Sequence, residues 1–493
     1  MQGRLFFFRN AVLVLPTILL IAALTVVVAI SFGSAGHALL HKRDPRSQFS
    51  WLLTCLLVPI AGPLFYLAFG VNRVETRARK WQARGLFSRG RLLDGHRSSV
   101  AQLRDAYPDM EEPMLSLLKL SKRVTGKPLL THNRVELLQN GDETYPAMIQ
   151  AIDSAERYVF LMSYLFVGDA VGKSIAEALV RAGERGVDVR VLVDAIGSRV
   201  GRKPIRNYLE DKKGVRIEYF LPMSLGRRMF LLNLRNHRKI LIIDGLKGFT
   251  GGINIAGDNL HTSKPKHPIQ DLHFCLEGPI VHSLEEVFSE DWCFRVGNDT
   301  WPTPPPVVAA GEALCRGIKD GPNEDFETLQ WILIGALSCS RESVRILTPY
   351  FIPSRELISA LGAAALRGIS VQIILPTKSN LAVVDWACNA MLPEIIDQGI
   401  QIYRQPAPFS HSKLVVVDDF YLNIGSANLD PRSLQLNFEF NVEIYDPALA
   451  RTLSEHHQEI LAKSTVVTAE ELRKRSLALR LRDSIAKLLS PYL

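Results

Sequence analysis

His237-Arg-Lys239-Ile-Leu-Ile-Ile243-Asp244, followed by Gly251-Gly-Ile-Asn254, is written a second time as His411-Ser-Lys413-Leu-Val-Val-Val417-Asp418, followed by Gly425-Ser-Ala-Asn428. Such a set of residue types at fixed spacing is expected by chance roughly once in several million start positions, so the double occurrence marks a duplicated unit. Ile240–Ile243 and Leu414–Val417 are short, apolar and bounded by turn residues, which predicts buried strands of an α/β sheet. Side chains alternate along a strand, so His237 and Lys239 point the same way at its start and set an imidazole beside an ammonium. Asp244 has the opposite parity and stands at the far end against Gly245, a place for anchoring a turn or a buried ion pair. Gly251, Gly252 and Gly425 suit close backbone approach, and Asn254 and Asn428 add amide donors near the same pocket.

The chain has 12 histidines, and a lone histidine is usually structural or solvated. The duplicated context singles out His237 and His411, while His261, His267, His273, His282, His456 and His457 keep the ordinary reading. Two lysines, each beside an equivalent histidine, suit an anion site. The repeat extends outward: Met148 to Val193 and Leu333 to Leu375 both read as helix, strand, helix, strand. Arg185-Gly-Val and Arg367-Gly-Ile close matching helices, and Gly214-Val-Arg-Ile and Gly399-Ile-Gln-Ile open matching strands. The predicted architecture is two α/β halves in a pseudo-twofold pair, each giving one His and one Lys to a shared cleft. Expected boundaries are a membrane hairpin over 1–72, a basic connector over 73–127, the first half over 128–300, a proline-rich linker over 301–325 around Trp301–Pro306, the second half over 326–464 and a basic amphipathic segment over 465–493.

Six scattered cysteines without a Cys-x-x-Cys pair argue against a disulfide framework and a zinc knuckle, and no metal or cofactor is expected. The first seventy residues are a different material. Ala11 to Phe32 and Trp51 to Phe69 carry no charge, and each is long enough to cross a bilayer, which predicts a helical hairpin. Pro59 and Gly62-Pro63 interrupt the second stretch and leave a re-entrant segment open. Arg73, Arg77, Arg79, Lys80, Arg84, Arg89 and Arg91 follow it, against Lys42, Arg43 and Arg46 between the stretches. The positive-inside rule then puts the N-terminus and the catalytic region on the cytoplasmic side of the membrane. Basic and apolar residues also mix in Leu225 to Arg235 and in Leu472 to Leu489, where Leu477, Leu481, Ile485 and Leu488 fall at helical spacing. Such segments suit an anionic lipid surface or an ordinary helix packed on the domain.

The duplicated His-x-Lys-x4-Asp motif resembles the signature of the phospholipase D superfamily and, within it, the bacterial cardiolipin synthases. The closer likeness rests on the two N-terminal stretches, on Gln270-Asp271-Leu-His-Phe-Cys-Leu-Glu-Gly-Pro279, on Thr348-Pro-Tyr-Phe-Ile-Pro353, and on Gly425 to Ser433 followed by Leu436-Asn-Phe-Glu439, and it runs almost end to end. Gly252 departs from a Ser common in the family; one hydroxyl contact is expected to be lost and the backbone to stay intact. The resemblance implies that one motif histidine attacks phosphorus to give a phosphohistidine while the other protonates the leaving alcohol. It favours His237 as nucleophile and His411 as acid. Within the motif it groups His237, Lys239, Asp244, His411, Lys413 and Asp418 as the catalytic set, with Lys239, Lys413, Asn254 and Asn428 holding the non-bridging oxygens. Asp271 and Glu439 would each orient an imidazole. The implied reaction joins two phosphatidylglycerols into cardiolipin and glycerol, with water or another alcohol as the alternative acceptor. A nuclease and a non-enzymatic membrane scaffold are the rival classes; the apolar N-terminus and the lack of a base-stacking motif oppose the first, two intact motifs the second.

Overall fold

A computed structural model describes residues 2–42, 45–70, 97–98, 104, 112–199, 205–221, 235–321 and 327–490. It divides into an N-terminal helical unit and a larger unit that carries both motifs. The basic cluster from Arg73 to Arg91, Arg43, and all but Arg235 of the Leu225 to Arg235 stretch lie outside the described residues.

In the helical unit, Ala11 to Phe32 belongs to one 40-residue helix, Gln2–His41. Its portion Leu19–His41 has a mean hydropathy of 2.2 and is the one helix among the described residues long and apolar enough to cross a membrane. The second apolar stretch is not the continuous span expected. Helix Pro45–Leu57 stops before Pro59, which has no N–H to give a helix, and Ile60 takes a positive φ of 74°. A short helix Ala61–Phe65 and a π-turn Tyr66–Gly70 follow. Ala35, Ala38, Cys55 and Tyr66 form the small core of this unit.

The larger unit is built on one large sheet, with β8 and β14 forming a separate two-stranded ribbon. Its first strands are β1 (Arg97–Ser98), β2 (Leu129–Gln139), β3 (Tyr158–Ser163), β4 (Asp188–Asp194), β5 (Val215–Phe220), β6 (Ile240–Ile243), β7 (Lys247–Gly251), β8 (Ile269–Gln270) and β9 (Leu272–Glu277). The rest are β10 (Ala313–Asp320), β11 (Ser343–Leu347), β12 (Ser370–Pro376), β13 (Gln401–Gln405), β14 (Phe409–Ser410), β15 (Leu414–Val417), β16 (Tyr421–Gly425), β17 (Glu439–Tyr445) and β18 (Thr465–Val466). The spatial order is β5-β4-β3-β6-β7-β9-β2 and then β10-β17-β16-β15-β11-β12-β13-β18. Read outward from the antiparallel β2–β10 seam, the two series match through seven strands, with three parallel strands on each wing, and β18 adds an antiparallel edge to the second alone. This is the pseudo-twofold pair of α/β halves that the repeat predicts.

Local sequence explains the matching helices. Asp169 caps helix Ala170–Glu184 by accepting from the Gly172 N–H at 2.9 Å, and Ser354 caps Arg355–Leu366 by accepting from Leu357 N–H at 3.2 Å. Both end at a glycine with φ of 89°, Gly186 and Gly368, a conformation that a Cβ disfavours. Each half then buries its own apolar cluster, around Leu161, Ile175 and Val191 in the first and Ile332, Ile373 and Ile402 in the second. Burying one such side chain contributes about 1.5–3 kcal/mol.

Two boundaries differ from expectation. The linker 301–325 contains β10, a central strand that pairs with both β2 and β17. The connector 73–127 contains helix Glu112–Thr125, whose Met114, Leu115, Leu117 and Leu118 join the core of the second half. The Trp301–Pro306 stretch is extended but lies on the first half, with the Trp301 ring 5.5 Å from Phe160 and 4.3 Å from the buried Arg190 guanidinium.

Candidate active site

The two motifs meet because the halves exchange backbone at the seam. The His237 N–H donates to the Phe438 carbonyl at 2.9 Å, and the Phe438 N–H donates to the Arg235 carbonyl at 2.8 Å. On the other side β14 pairs in parallel with β8, and the His411 N–H donates to the Gln270 carbonyl at 2.7 Å. One residue beyond each crossing stands a carboxylate. His237 Nδ1 therefore meets Glu439 at 3.0 and 3.1 Å, and His411 Nδ1 meets Asp271 Oδ2 at 2.7 Å. Each imidazole is held by an acid from the opposite half. Both carboxylates are fully buried. With Nδ1–H donating to a carboxylate, Nε2 carries the lone pair, the tautomer that nucleophilic or acid–base work requires.

The lysines turn inward beside them. Lys239 Nζ donates to the His237 carbonyl at 2.6 Å, and Lys413 Nζ donates to the His411 carbonyl. The intervening Arg238 points the other way, into a buried pair with Asp291 at 2.7 Å, as strand parity requires. Burial lowers Lys239 to about 7, with repulsion from Lys413, and lowers Lys413 to about 8. Burial and then Lys413 bring His411 down to about 4 against the pull of Asp271. Burial lowers His237 too, opposed first by Glu439. Burial acting on Asp271 and Glu439 would raise them, but the facing imidazoles and lysines outweigh it and both stay ionised. The site thus holds two carboxylates, two neutral imidazoles and two ammonium groups ready to lose protons, a set that an entering anion would recharge.

Asn254 lies beside Lys239, with its Oδ1 accepting from the Leu165 N–H at 3.2 Å and its carbonyl accepting from the Tyr145 hydroxyl at 2.7 Å. Asn428 is buried at the equivalent place, and its Oδ1 has no hydrogen-bond partner. Asp244 and Asp418, grouped with the catalytic residues by the motif, stand elsewhere. Asp244 accepts from the N–H groups of Glu156, Arg157 and Tyr158 at 2.8–2.9 Å, and Asp418 from those of Arg341, Glu342 and Ser343 at 2.8–2.9 Å. Each ties the far end of a motif strand to the turn before its neighbour, so their role is to hold the fold rather than to touch the reacting atoms.

Gly252 corrects a second expectation. An ideal Cβ at Gly252 would stand 2.6 Å from Asp271 Oδ2 and 2.7 Å from its Cγ, so no serine fits here without moving the carboxylate. At the matching position the Ser426 hydroxyl donates to Glu439 Oε2 at 2.5 Å, and the Asn437 amide donates to Oε1 at 3.2 Å. The shorter acid is seated against a glycine and the longer one against a serine. Sequence reading did not find Ser426, Asn437 or Tyr164, whose ring packs 5.1 Å from that of His237. The one signal for the first was the paired difference itself, Gly252 with Asp271 against Ser426 with Glu439.

A family model described as cardiolipin synthase, PLD-like domain, matches residues 148–292 and 333–461, and one described as phospholipase D-nuclease N-terminal matches 18–70. The chain is 32% identical over 462 residues to a cardiolipin synthase of Geobacillus kaustophilus (strain HTA426), covering 92% of this chain and 90% of that one. It is 32% identical over 461 residues to the major cardiolipin synthase ClsA of Bacillus subtilis (strain 168), covering 92% and 95%. The crystal structure of phosphatidylserine synthase from Haemophilus influenzae Rd KW20 superposes with a TM-score of 0.61 at 17% identity, over 77% of this chain and 100% of that one, a likeness of fold.

Proposed function

The chain belongs to the cardiolipin synthases, phosphatidyltransferases of the phospholipase D superfamily, and we propose that His237 and His411 carry a two-step transfer between phosphatidylglycerols. The observation that supports this most directly is the crossed pairing of His237 with Glu439 and His411 with Asp271, flanked by Lys239 and Lys413. The donor phosphodiester places its non-bridging oxygens against the two lysines and the amides of Asn254 and Asn428. Its charge raises the proton affinity of the site, and His411, held at about 4 by burial and Lys413, takes up its proton at that moment. His237 Nε2 forms a bond to phosphorus, the bond from phosphorus to the glycerol oxygen breaks, and the His411 proton goes to that oxygen. In the second step the hydroxyl of another phosphatidylglycerol gives its proton to His411 and attacks the phosphohistidine, releasing cardiolipin and freeing His237. Positive charge from the lysines stabilises both phosphorane-like transition states, so the reaction is carried without a metal.

Helix Leu19–His41 would anchor the chain in the bacterial inner membrane, with Trp51 to Phe69 as a second, broken pass. The excess of basic residues from Arg73 to Arg91 over the short stretch from Lys42 to Arg46 supports a cytoplasmic catalytic unit.

The test incubates the purified full chain with labelled phosphatidylglycerol and separates the lipids. Dimeric lipid with released glycerol is the expected product. Phosphatidic acid instead would identify water as the acceptor and make the chain a phospholipase. Mass spectrometry under acid-free conditions should find the phosphoryl adduct on His237; an adduct on His411 would reverse the assignment of roles.

A further inference from the structure

Helix Leu477–Leu488 is docked with its apolar side outward. It is clasped through Asp483 and Ala486, 2% and 3% exposed. Asp483 accepts from Arg475 at 2.6 Å and Arg482 at 2.8 Å, and the Arg482 guanidinium lies 4.4 Å from the ring of Trp386 on helix Ala382–Asn389. On the other face Leu477, Leu481, Ile485 and Leu488 are 69%, 55%, 63% and 78% exposed. At about 100° per residue these four form one stripe. Arg480 and Lys487 run along one edge of it and Arg482 along the other. Asp483 is the only acid of the helix and pairs with Arg475 and Arg482, so the charge left on the outer face is the positive charge of Arg480 and Lys487.

The mount ties this helix to Ala382–Asn389, an element at the cleft end of the sheet. Helix Ala382–Asn389 follows the carboxyl end of β12, the end of the sheet where the imidazoles sit. Beside it the Gln405 amide at the end of β13 donates to Gln270 Oε1 at 2.9 Å, and the Gln270 carbonyl holds His411. The Tyr350 hydroxyl donates to Asn380, the Ser379 N–H donates to Asp385 at 3.0 Å, and Leu381 between them is 51% exposed. A monomer rarely leaves such a contiguous apolar stripe in water. A second copy docked stripe to stripe would set arginines and lysines against their own kind, whereas anionic headgroups complement them.

We propose that Leu477–Leu488 is an interfacial helix that lies in the headgroup layer of an anionic bilayer and turns the cleft rim of the second half onto the lipid. The docking does not depend on the reaction; its use, delivery of lipid to the cleft, rests on the proposed function.

The test uses the full chain reconstituted in vesicles of phosphatidylglycerol and phosphatidylethanolamine that carry a headgroup-proximal quencher. An environment-sensitive label is attached at Leu481→Cys or, as control, at Leu366→Cys, 80% exposed on another helix. Cys339 is changed to Ser because the other five cysteines are buried. The Leu481 label should be quenched and the Leu366 label not, with quenching reduced by R480Q/K487Q or in neutral lipid. A Leu481 label as solvent-exposed as that at Leu366 would overturn the proposal. So would quenching that follows the protein-to-lipid ratio, which would identify a second copy. In the second arm, L481S/I485S should lower turnover of long-chain phosphatidylglycerol in vesicles at least about tenfold while sparing a short-chain, monomeric analogue, since apolar burial drives the docking. An equal fall on both substrates would refute it. If the wild type turns over neither lipid, the synthase reading fails while the quenching result still decides the docking.

Discussion

Replacing Gly252 by alanine tests the geometry of the site with a single methyl group. The Gly252 backbone is outside the left-handed region, so the change acts through space alone. The new Cβ would press hardest on Asp271 Oδ1 and stand 2.6 Å from Oδ2, and ordinary carbon contacts need about an ångström more, so the whole carboxylate must move. The carboxylate is the only soft neighbour, but it is pinned, with Oδ2 on His411 Nδ1 at 2.7 Å and Oδ1 on the Leu272 N–H at 2.8 Å. Adding about an ångström to the first contact takes it beyond hydrogen-bond range. His411 then loses the one group that opposes burial and Lys413, and its proton affinity, already low at about 4, falls further. Loss of a positioned general acid costs roughly 10²–10⁴ in rate. The expected result is a fall in kcat of that order with phosphatidylglycerol. With a phosphatidyl ester of an activated phenol, whose leaving group needs no proton, formation of the phosphohistidine should survive, which separates mispositioning from unfolding. Ser426→Gly in the other half removes a bond to a charged acceptor, about 1.5–3 kcal/mol, together with the acceptor of the Phe440 N–H at 3.0 Å, but leaves Glu439 room to stay. A Gly252→Ala enzyme with wild-type kcat and an unchanged pH profile would refute the argument.

Lys239 at about 7 and Lys413 at about 8 are charged below those values and neutral above them, so kcat/KM should fall as pH rises through 7 to 8, with the limb for kcat displaced upward because bound phosphate raises both. A rate that stays flat to about pH 10, where an ordinary lysine titrates, would count against anion binding by these groups. Asp244→Asn and Asp418→Asn each weaken three charge-assisted backbone bonds and should cost a few kcal/mol in denaturant unfolding, while the fraction that remains folded turns over normally. Among the described residues no group of three metal-ligating side chains occurs; excess chelator should leave the chemical step intact, and a complete loss restored by one divalent ion would overturn the metal-free mechanism. Deleting residues 1–70 should release the chain from carbonate-washed membranes, and its retention in the pellet would show that the N-terminal helices are not the main anchor.

The duplicated halves were legible because each repeats a local pattern: a β-branched run after His-x-Lys, and a helix closed by Arg-Gly. Strand parity also separated Asp244 from the imidazole beside it. What escaped was set by pairing between distant segments. Ala313–Asp320 carries Arg316, Gly317 and Lys319 and reads as linker, yet Arg316 is neutralised in the core by Glu443 at 2.7 Å, and only the β2–β10 seam makes it a strand. The exchange of acids was hidden for the same reason, since Asp271 lies nearer in sequence to His237 but serves His411. The fit of Gly252 to Asp271 is a steric fact about two side-chain positions, and no spacing rule contains it. Pro59 did warn of the break that splits the second apolar stretch.

Because each imidazole borrows its carboxylate from the other half, reactivity is conditional on docking. A chain with one half folded presents a histidine of unfixed tautomer, lacking its acid, and no enclosed phosphate site. The crossed carboxylates therefore act as an interlock: the same seam that completes the sheet arms both histidines at once, and a nick or misdocking that opens it disarms both together.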